Sequence, residues 1–488
     1  MKHFLAVDLG ATSGRTVLAS FDGEHVEMRE FTRFKNPQIP ISGHLFWDLP
    51  HLYNEILTAL KQVASEGIEL TSLGIDTWGC DFAFFGADGQ LLGLPYCYRD
   101  SHTDGAIERF FADHMPAREL YDRTGIQFMP FNSLFQLDTL RRNASSALGA
   151  AEKILFIPDA LTYMLTGNAV CEYTVLSTSQ MLNPKQGDID EELLDQLQLS
   201  RSKFGPLVQP GHQAGCLTQQ VQTACGLGPV PVVCVGGHDT ASAVAAVPAE
   251  DEEYAYLSCG TWSLLGIESR HAIITDKSFE YNFTNEGGLD GTTRFLKNIC
   301  GLWLFENCRK EFTGVPSDVN ELNALCHASS FDSLILPDDP LFAHPDSMTA
   351  AISQFCQQTG QALPQVPADY VRCIFRSLAL RYRQVLEILG EMADFPLRRL
   401  HVIGGGSLNR YLMQWTADAT GLPVIAGPAE GTALGNTLVQ VRAAGGVDTL
   451  TDMRRIVARS IELKHYSPNH TPDWEQAYAR FLELAPRK

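Results

Sequence analysis

The chain has 488 residues, 45% hydrophobic and 19% charged, with a formal net charge of −20 and a pI of about 5.1. Such a length exceeds one core, so two domains are expected, and so acidic a surface repels nucleic acid and anionic membrane. The first apolar run stops at Asp8, too short for a signal peptide, and no run approaches a membrane span, which predicts a cytoplasmic protein.

From Phe4 to Ala19 the pattern is strand, tight polar turn, strand. Gly10, Ala11, Thr12, Ser13 and Gly14 lead into Arg15, framed by alternating apolar residues. A turn of this make-up exposes consecutive backbone N–H groups and hydroxyls that suit phosphate oxygens. Asp8, at the strand end, could hold Mg²⁺ through water, although an ordinary hairpin reads the same way. No Gly-Lys-Ser/Thr follows, so this is not a Walker A loop, nor is it a Gly-x-Gly-x-x-Gly dinucleotide turn. Asp48 is expected to cap a helix from Leu49 to Ala64, with Leu52, Ile56, Leu60 and Val63 on one face. Leu73 to Phe85 reads as a second strand pair in which Asp76, Thr77 and Asp81 accompany Trp78. An aromatic beside carboxylates and Gly79 suits a sugar, and a hairpin with a packed tryptophan fits equally. Tyr98-Arg99-Asp100 and Gly125 to Asn132 read as loops walling the same cleft.

At the centre, Pro231 to Val235 form a buried strand, Gly236 and Gly237 a turn, and His238-Asp239-Thr240 the mouth of an alanine-rich helix over 241–246. Asp239 or Thr240 can cap that helix. A carboxylate at such a helix mouth is also where α/β proteins place chemistry. The acidic run 250–253 marks a solvated boundary, giving domains 1–247 and 254–488. Beyond it the chain begins again: Ser258 to Ser263 echoes Asp8 to Ser13, 250 residues later. That echo predicts a duplicated fold with one phosphate-binding turn per copy and a nucleotide cleft between domains, Asp239 at their junction. Lys297 to Glu306 opens a helix, and Cys373 to Leu389 is an amphipathic core helix. Leu400 to Asn409 is a strand, a triple-glycine turn that admits a flat ligand such as adenine or ribose, and a helix start. Gly427 to Asn436 starts a helix of small residues, as close packing needs, and the remainder reads as a peripheral tail. Twelve cysteines lie singly, without Cys-x-x-Cys or His-Glu-x-x-His, so neither zinc nor a redox dithiol is encoded. Cys356 and Cys373 flank a turn-rich segment and could lie close.

Four motifs in order, Asp8-Leu9-Gly10-Ala11-Thr12-Ser13, Gly237-His238-Asp239-Thr240, Gly260-Thr261-Trp262-Ser263 and Gly404-Gly405-Gly406-Ser407-Leu408-Asn409, resemble the FGGY carbohydrate kinases. That resemblance implies α/β architecture: two duplicated actin-like ATPase (ribonuclease H-like) domains with an interdomain active-site cleft. Within the family, Gly74 to Gly79, Tyr98 to Ser101, Gly125 to Phe128 and Leu296 to Ile299 are most similar to the rhamnulokinase branch. Transfer of phosphate from MgATP to the 1-hydroxyl of L-rhamnulose is therefore implied, with Asp239 as the base. Ala11, Thr12, Ser13, Gly14 and Arg15 match the first phosphate loop, Thr261 the second, and Gly404 the adenosine turn. Gly79, His238, Asp239, Thr240 and Asn298 match sugar-contacting positions. Glu306 stands near the nucleotide where Gln is common, and Ala11 and His102 depart from the family's usual Thr and Arg. The implied partners are a ketose and MgATP, with no nucleic acid and no membrane, in a monomer or weak homodimer. Fuculose, xylulose, ribulose or glycerol remain alternative acceptors, and a non-kinase actin-like ATPase is the rival reading. A sugar-sensing repressor would need a basic helix-turn-helix ahead of Phe4, where the first strand already begins.

Overall fold

Apolar alternation at the N-terminus builds three successive antiparallel strands, Lys2–Leu9, Ser13–Phe21 and Val26–Lys35. The computed structural model in which they are seen describes residues 1–343, 345–469 and 471–484. Leu70–Thr77 lies parallel to the first strand on its other side, placing Asp8 opposite Asp76. Pro231–Val233 follows in parallel, and Gln213–Cys216 closes the edge antiparallel.

Side chains alternate across a strand, so this sheet has two apolar faces. Leu5, Val7 and Leu9 meet Leu52, Ile56, Leu60 and Val63 of the helix Leu49–Ser65. That helix starts where expected because Asp48 accepts from His51 N at 2.9 Å. Ala6 and Val17, on the opposite face, pack on Ala433 of the helix Gly431–Ala443. By contacts, Met1–Ala246 with Ser269–Phe295 and Gly431–Ser460 form a first unit. Val247–Glu268, Leu296–Glu430 and the chain from Ile461 form a second.

In the second unit Tyr254–Cys259 and Trp262–Ser269 form an antiparallel hairpin, with Thr293–Cys300 next in the sheet order. Arg399–Ile403 and then Val424–Ala426 continue in parallel on the other side, and Lys464–Tyr466 closes that edge antiparallel. Six of its seven strands repeat the order of the first sheet, and the seventh, Thr284–Gly287, is added at the edge beyond Thr293–Cys300, so the fold is duplicated. Glu250 to Glu252 are exposed, and Asp251 pairs with Arg399 at 2.7 Å.

Four local expectations change. Leu70–Thr77 and Phe82–Phe85 are not a pair: Phe82–Phe85 joins Lys153–Phe156 instead. Cys80 takes a left-handed φ of 70°, which turns the chain out of the first sheet between them. Proline at the N-terminus of Pro367–Gly390 starts the core helix six residues before Cys373. The stretch read as a tail contributes a sheet strand and the helix Pro472–Leu484, whose Trp474, Ala477, Tyr478 and Phe481 are buried. The central helix is Asp239–Ala245, with His238 at its cap position and no side-chain cap, so neither Asp239 nor Thr240 caps it. Cys356 and Cys373 lie side by side with hydrogen-bonded thiols, and none of the twelve cysteines is in a disulfide.

Candidate active site

In the first unit the adjacent strand ends put carboxylates together. Asp8 is bound by Arg15, whose Nε and Nη2 donate to Oδ2 at 2.9 and 2.7 Å. The turn between them closes with Gly10 N donating to Ser13 O at 3.0 Å. Asn36 braces it, donating its backbone N to Thr12 O and its side chain to Gly10 O. Thr12 is exposed, Ala11, Ser13 and Arg15 are partly buried, and Gly14 packs so closely that a Cβ there would lie 2.3 Å from the Phe34 ring.

Asp76 is fully buried beside Asp8, with Oδ2 accepting from Asn436 Nδ2 at 2.6 Å and Oδ1 buried without a partner. Burial, then the negative charge of Asp8, pushes its carboxyl well above the ordinary range, with Asp239 adding to the effect. Thr77 N donates to Gly237 O at 2.9 Å, and Thr77 bridges His238 in parallel, so the strand end delivers Asp239 to this edge.

Asp239 keeps 34% of its side chain exposed and accepts from the Thr240 hydroxyl at 3.0 Å. Burial still raises its carboxyl above the usual value, and the charge of His238 opposes that rise. Behind it, the buried Glu172 carboxylate accepts from Gly237 N at 3.0 Å, Thr174 N at 2.9 Å, Val175 N at 3.0 Å and the Thr174 hydroxyl at 2.6 Å. A Cβ on Gly237 would sit 2.7 Å from Glu172 Oε2, so glycine is what lets this carboxylate clamp the turn. Glu172 N in turn donates to the buried Asp159.

Of the two readings open for the tryptophan, the packed one holds. Trp78 is 6% exposed, lies 4.2 Å from Trp47 between ring centroids, and donates Nε1 to Asp81 Oδ2 at 2.9 Å. Asp81 also accepts from Trp47 Nε1, Tyr98 N and Gln136 Nε2, and burial pushes its carboxyl up to about 6. Asp81 is thus consumed by the scaffold. Gly79 is partly buried against Thr178, which its Cβ would meet at 2.7 Å. Asp100 anchors His44 Nδ1, His102 Nδ1 and Leu45 N, so it too serves the wall rather than a ligand.

In the second unit the echoing hairpin turns at Gly260 and Thr261, with Thr261 exposed. Leu302 N and Trp303 N donate to Gly260 O and Thr261 O, seating the helix Trp303–Glu311 on that turn. Glu306 projects from its first turn, partly exposed and paired with Arg309 at 2.7 Å. Gly404 has φ 84°, and its Cβ would lie 2.9 Å from Cys259 O, so the triple-glycine turn lies against the end of the same hairpin strand. Asn298 is partly buried on Thr293–Cys300, and neighbouring Lys297 is held down to about 8 by burial.

Among the described residues no group of three or more His, Cys, Asp or Glu is placed to cage a metal. Asp8 nevertheless ends its strand as a hard oxygen donor of the kind Mg²⁺ takes, since that ion usually keeps several waters and needs only one or two carboxylates.

The family models for the N-terminal and C-terminal domains of FGGY carbohydrate kinases match residues 3–246 and 255–444. The chain belongs to the FGGY family of carbohydrate kinases. It is 52% identical over 482 residues to a rhamnulokinase from Bacteroides thetaiotaomicron, covering 98% of this chain and 99% of that one. A rhamnulokinase from Pectobacterium atrosepticum is 43% identical, covering 99% and 97%. Among solved structures, a ligand-bound xylulose kinase from Lactobacillus acidophilus superposes with a TM-score of 0.81 at 16% identity, covering 100% of this chain and 96% of that one. Plasmodium falciparum glycerol kinase with ADP gives 0.78 at 15% identity, covering 99% and 98%. These likenesses show the actin-like fold. In this FGGY kinase sequence reasoning missed Glu172 and Asp159, which sit in no recognisable pattern, and assigned no role to Glu286 or Arg294.

Proposed function

We propose that this kinase transfers the γ-phosphoryl group of ATP to the 1-hydroxyl of L-rhamnulose, yielding ADP and L-rhamnulose 1-phosphate. The observation that carries the reading is Asp239, a carboxylate with 34% of its side chain exposed, on a turn that Glu172 clamps at Gly237 N, in a chain akin to rhamnulokinases over nearly its whole length. As the sugar oxygen bonds to phosphorus, the bond to the β–γ bridging oxygen breaks and its electron pair leaves with ADP. Asp239 accepts the hydroxyl proton and later gives it to solvent. Little covalent work falls to the protein, so placement and charge neutralisation supply most of the acceleration.

Asp8 would hold Mg²⁺ through water, and the bound ion would neutralise phosphate charge. Ala11 to Arg15 and Thr261 would offer N–H groups and hydroxyls to the phosphates, and Gly404 would seat the adenosine with Glu306 nearby. Gly79, His238, Thr240 and Asn298 would contact the sugar. No described helix is long and apolar enough to cross a membrane. Phosphorus NMR of the reaction with MgATP and L-rhamnulose is expected to show a monoester coupled to the C1 protons. Inorganic phosphate alone, or a monoester elsewhere on the sugar, would overturn the assignment.

A further inference from the structure

Behind the base lies a buried ionic group that the mechanism above does not use. Arg294 is 0% exposed, and its Nε donates to Gly287 O at 2.8 Å. Its Nη1 stands 3.1 Å from Glu286 Oε2, and its Nη2 3.2 Å from His238 Nδ1. Glu286 Oε2 is itself 3.2 Å from that Nδ1. The other ring nitrogen, Nε2, is 3.5 Å from Asp239 Oδ1. All four residues belong to the first unit.

Taking a guanidinium and a carboxylate out of water is costly, and a packed apolar pair would fill the same volume without that cost. The Glu286 carboxyl nevertheless stays below its ordinary range, because the Arg294 charge and the His238 contact outweigh its burial. The geometry also fixes the imidazole. A guanidinium can only donate, so Nδ1 accepts from Arg294 Nη2 and the ring proton sits on Nε2, which approaches Asp239 Oδ1 to 3.5 Å.

We propose that Glu286 and Arg294 are positioning residues that lock the His238 ring with Nε2–H toward Asp239, and that His238 thereby aims the base at the acceptor hydroxyl. The proposal rests on the reading of Asp239 as base. The ring is gripped at Nδ1 from the neighbouring segment 286–294, while Glu172 holds the backbone of Gly237 beneath it. Asp239 Oδ1 accepts from the Thr240 hydroxyl at 3.0 Å and lies 3.5 Å from ring Nε2, so a ring free to rotate lets the carboxylate swing.

The test uses the full chain with MgATP and L-rhamnulose. In Glu286→Gln, which is nearly isosteric, kcat is expected to fall about tenfold to about 100-fold, as sub-ångström to 1 Å misplacement costs. The KM for L-rhamnulose is expected to rise by a smaller factor than kcat falls, since His238 also meets the sugar in the ground state whereas the aim of Asp239 acts on the transition state. Nitrogen-15 histidine spectra should show one ring, recognised by its absence in His238→Asn, losing its Nε2–H tautomer. The losses in Glu286→Gln and His238→Asn should not add in the double variant, and Arg294→Lys should repeat the pattern of Glu286→Gln. A raised KM with unchanged kcat, no change in either, additive losses, or a loss that only follows the folded fraction would overturn the proposal. Asp239→Asn separates the two readings: if it turns over normally, the base assignment itself fails whatever Glu286→Gln does.

Discussion

Asp239 carries a consequence for pH. A base must be ionised to accept a proton, and burial holds this carboxyl above the ordinary aspartate value. Activity is therefore present above the raised value and lost as pH falls through it. The acid limb of the kcat profile is expected at a pH above about 3.9, where an exposed aspartate titrates. Glu172 acts on the same residue through the backbone. Glu172→Gln replaces an acceptor-only carboxylate by a group with N–H donors facing backbone N–H groups, stranding at least one of them. We expect a loss of about 1–3 kcal/mol in denaturant unfolding and a reduced kcat in the protein that remains folded. The contrast between these residues shows what a sequence exposes. Asp239 stands out because Gly-Gly, an acid and an alanine-rich helix are contiguous. Glu172 lies 65 residues before Gly237 and gains its role only when the turn folds onto it.

At the scale of elements, the helices Asp239–Ala245 and Gly431–Ala443 meet where Gly435 faces Ser242. A Cβ there would stand 1.7 Å from the Ser242 carbonyl oxygen, which no rotamer relieves. Gly435→Ala should force the helices apart, destabilising the chain by about 1–3 kcal/mol or more, read as a lowered Tm, and disturbing the helix that bears the base. The same helix presents Asn436 to Asp76, so kcat should suffer as well. Small residues around Gly435 are visible in the sequence as a call for close packing. Their partner, some 190 residues earlier, is not. Hairpins were legible for the opposite reason: Asp8 to Arg15 and Ser258 to Ser263 close on themselves, so alternation and glycine suffice. Phe82–Phe85 was misread because its partner Lys153–Phe156 is distant, and Cys80 hides a left-handed turn behind an ordinary side chain.

For the molecule as a whole, duplication and charge dominate. The same strand order in both units leaves a glycine-hydroxyl hairpin turn in each, which a single chain copy would not explain. A net charge of −20 opposes the approach of anionic MgATP, so the KM for MgATP should fall as ionic strength rises from about 10 mM to about 150 mM and the Debye length shortens from about 30 Å to about 8 Å. A KM that rises over that interval would show that local cations near the phosphate turns outweigh the net field. The measurement that tests the central claim most directly is sugar-dependent ADP release with MgATP across L-rhamnulose, L-fuculose, D-xylulose, L-ribulose and glycerol, with Asp239→Asn alongside. The account predicts strong preference for L-rhamnulose and a loss of about 100-fold to about 10,000-fold in the variant, with sugar binding retained. Preference for another acceptor, or undiminished release by Asp239→Asn, would contradict it.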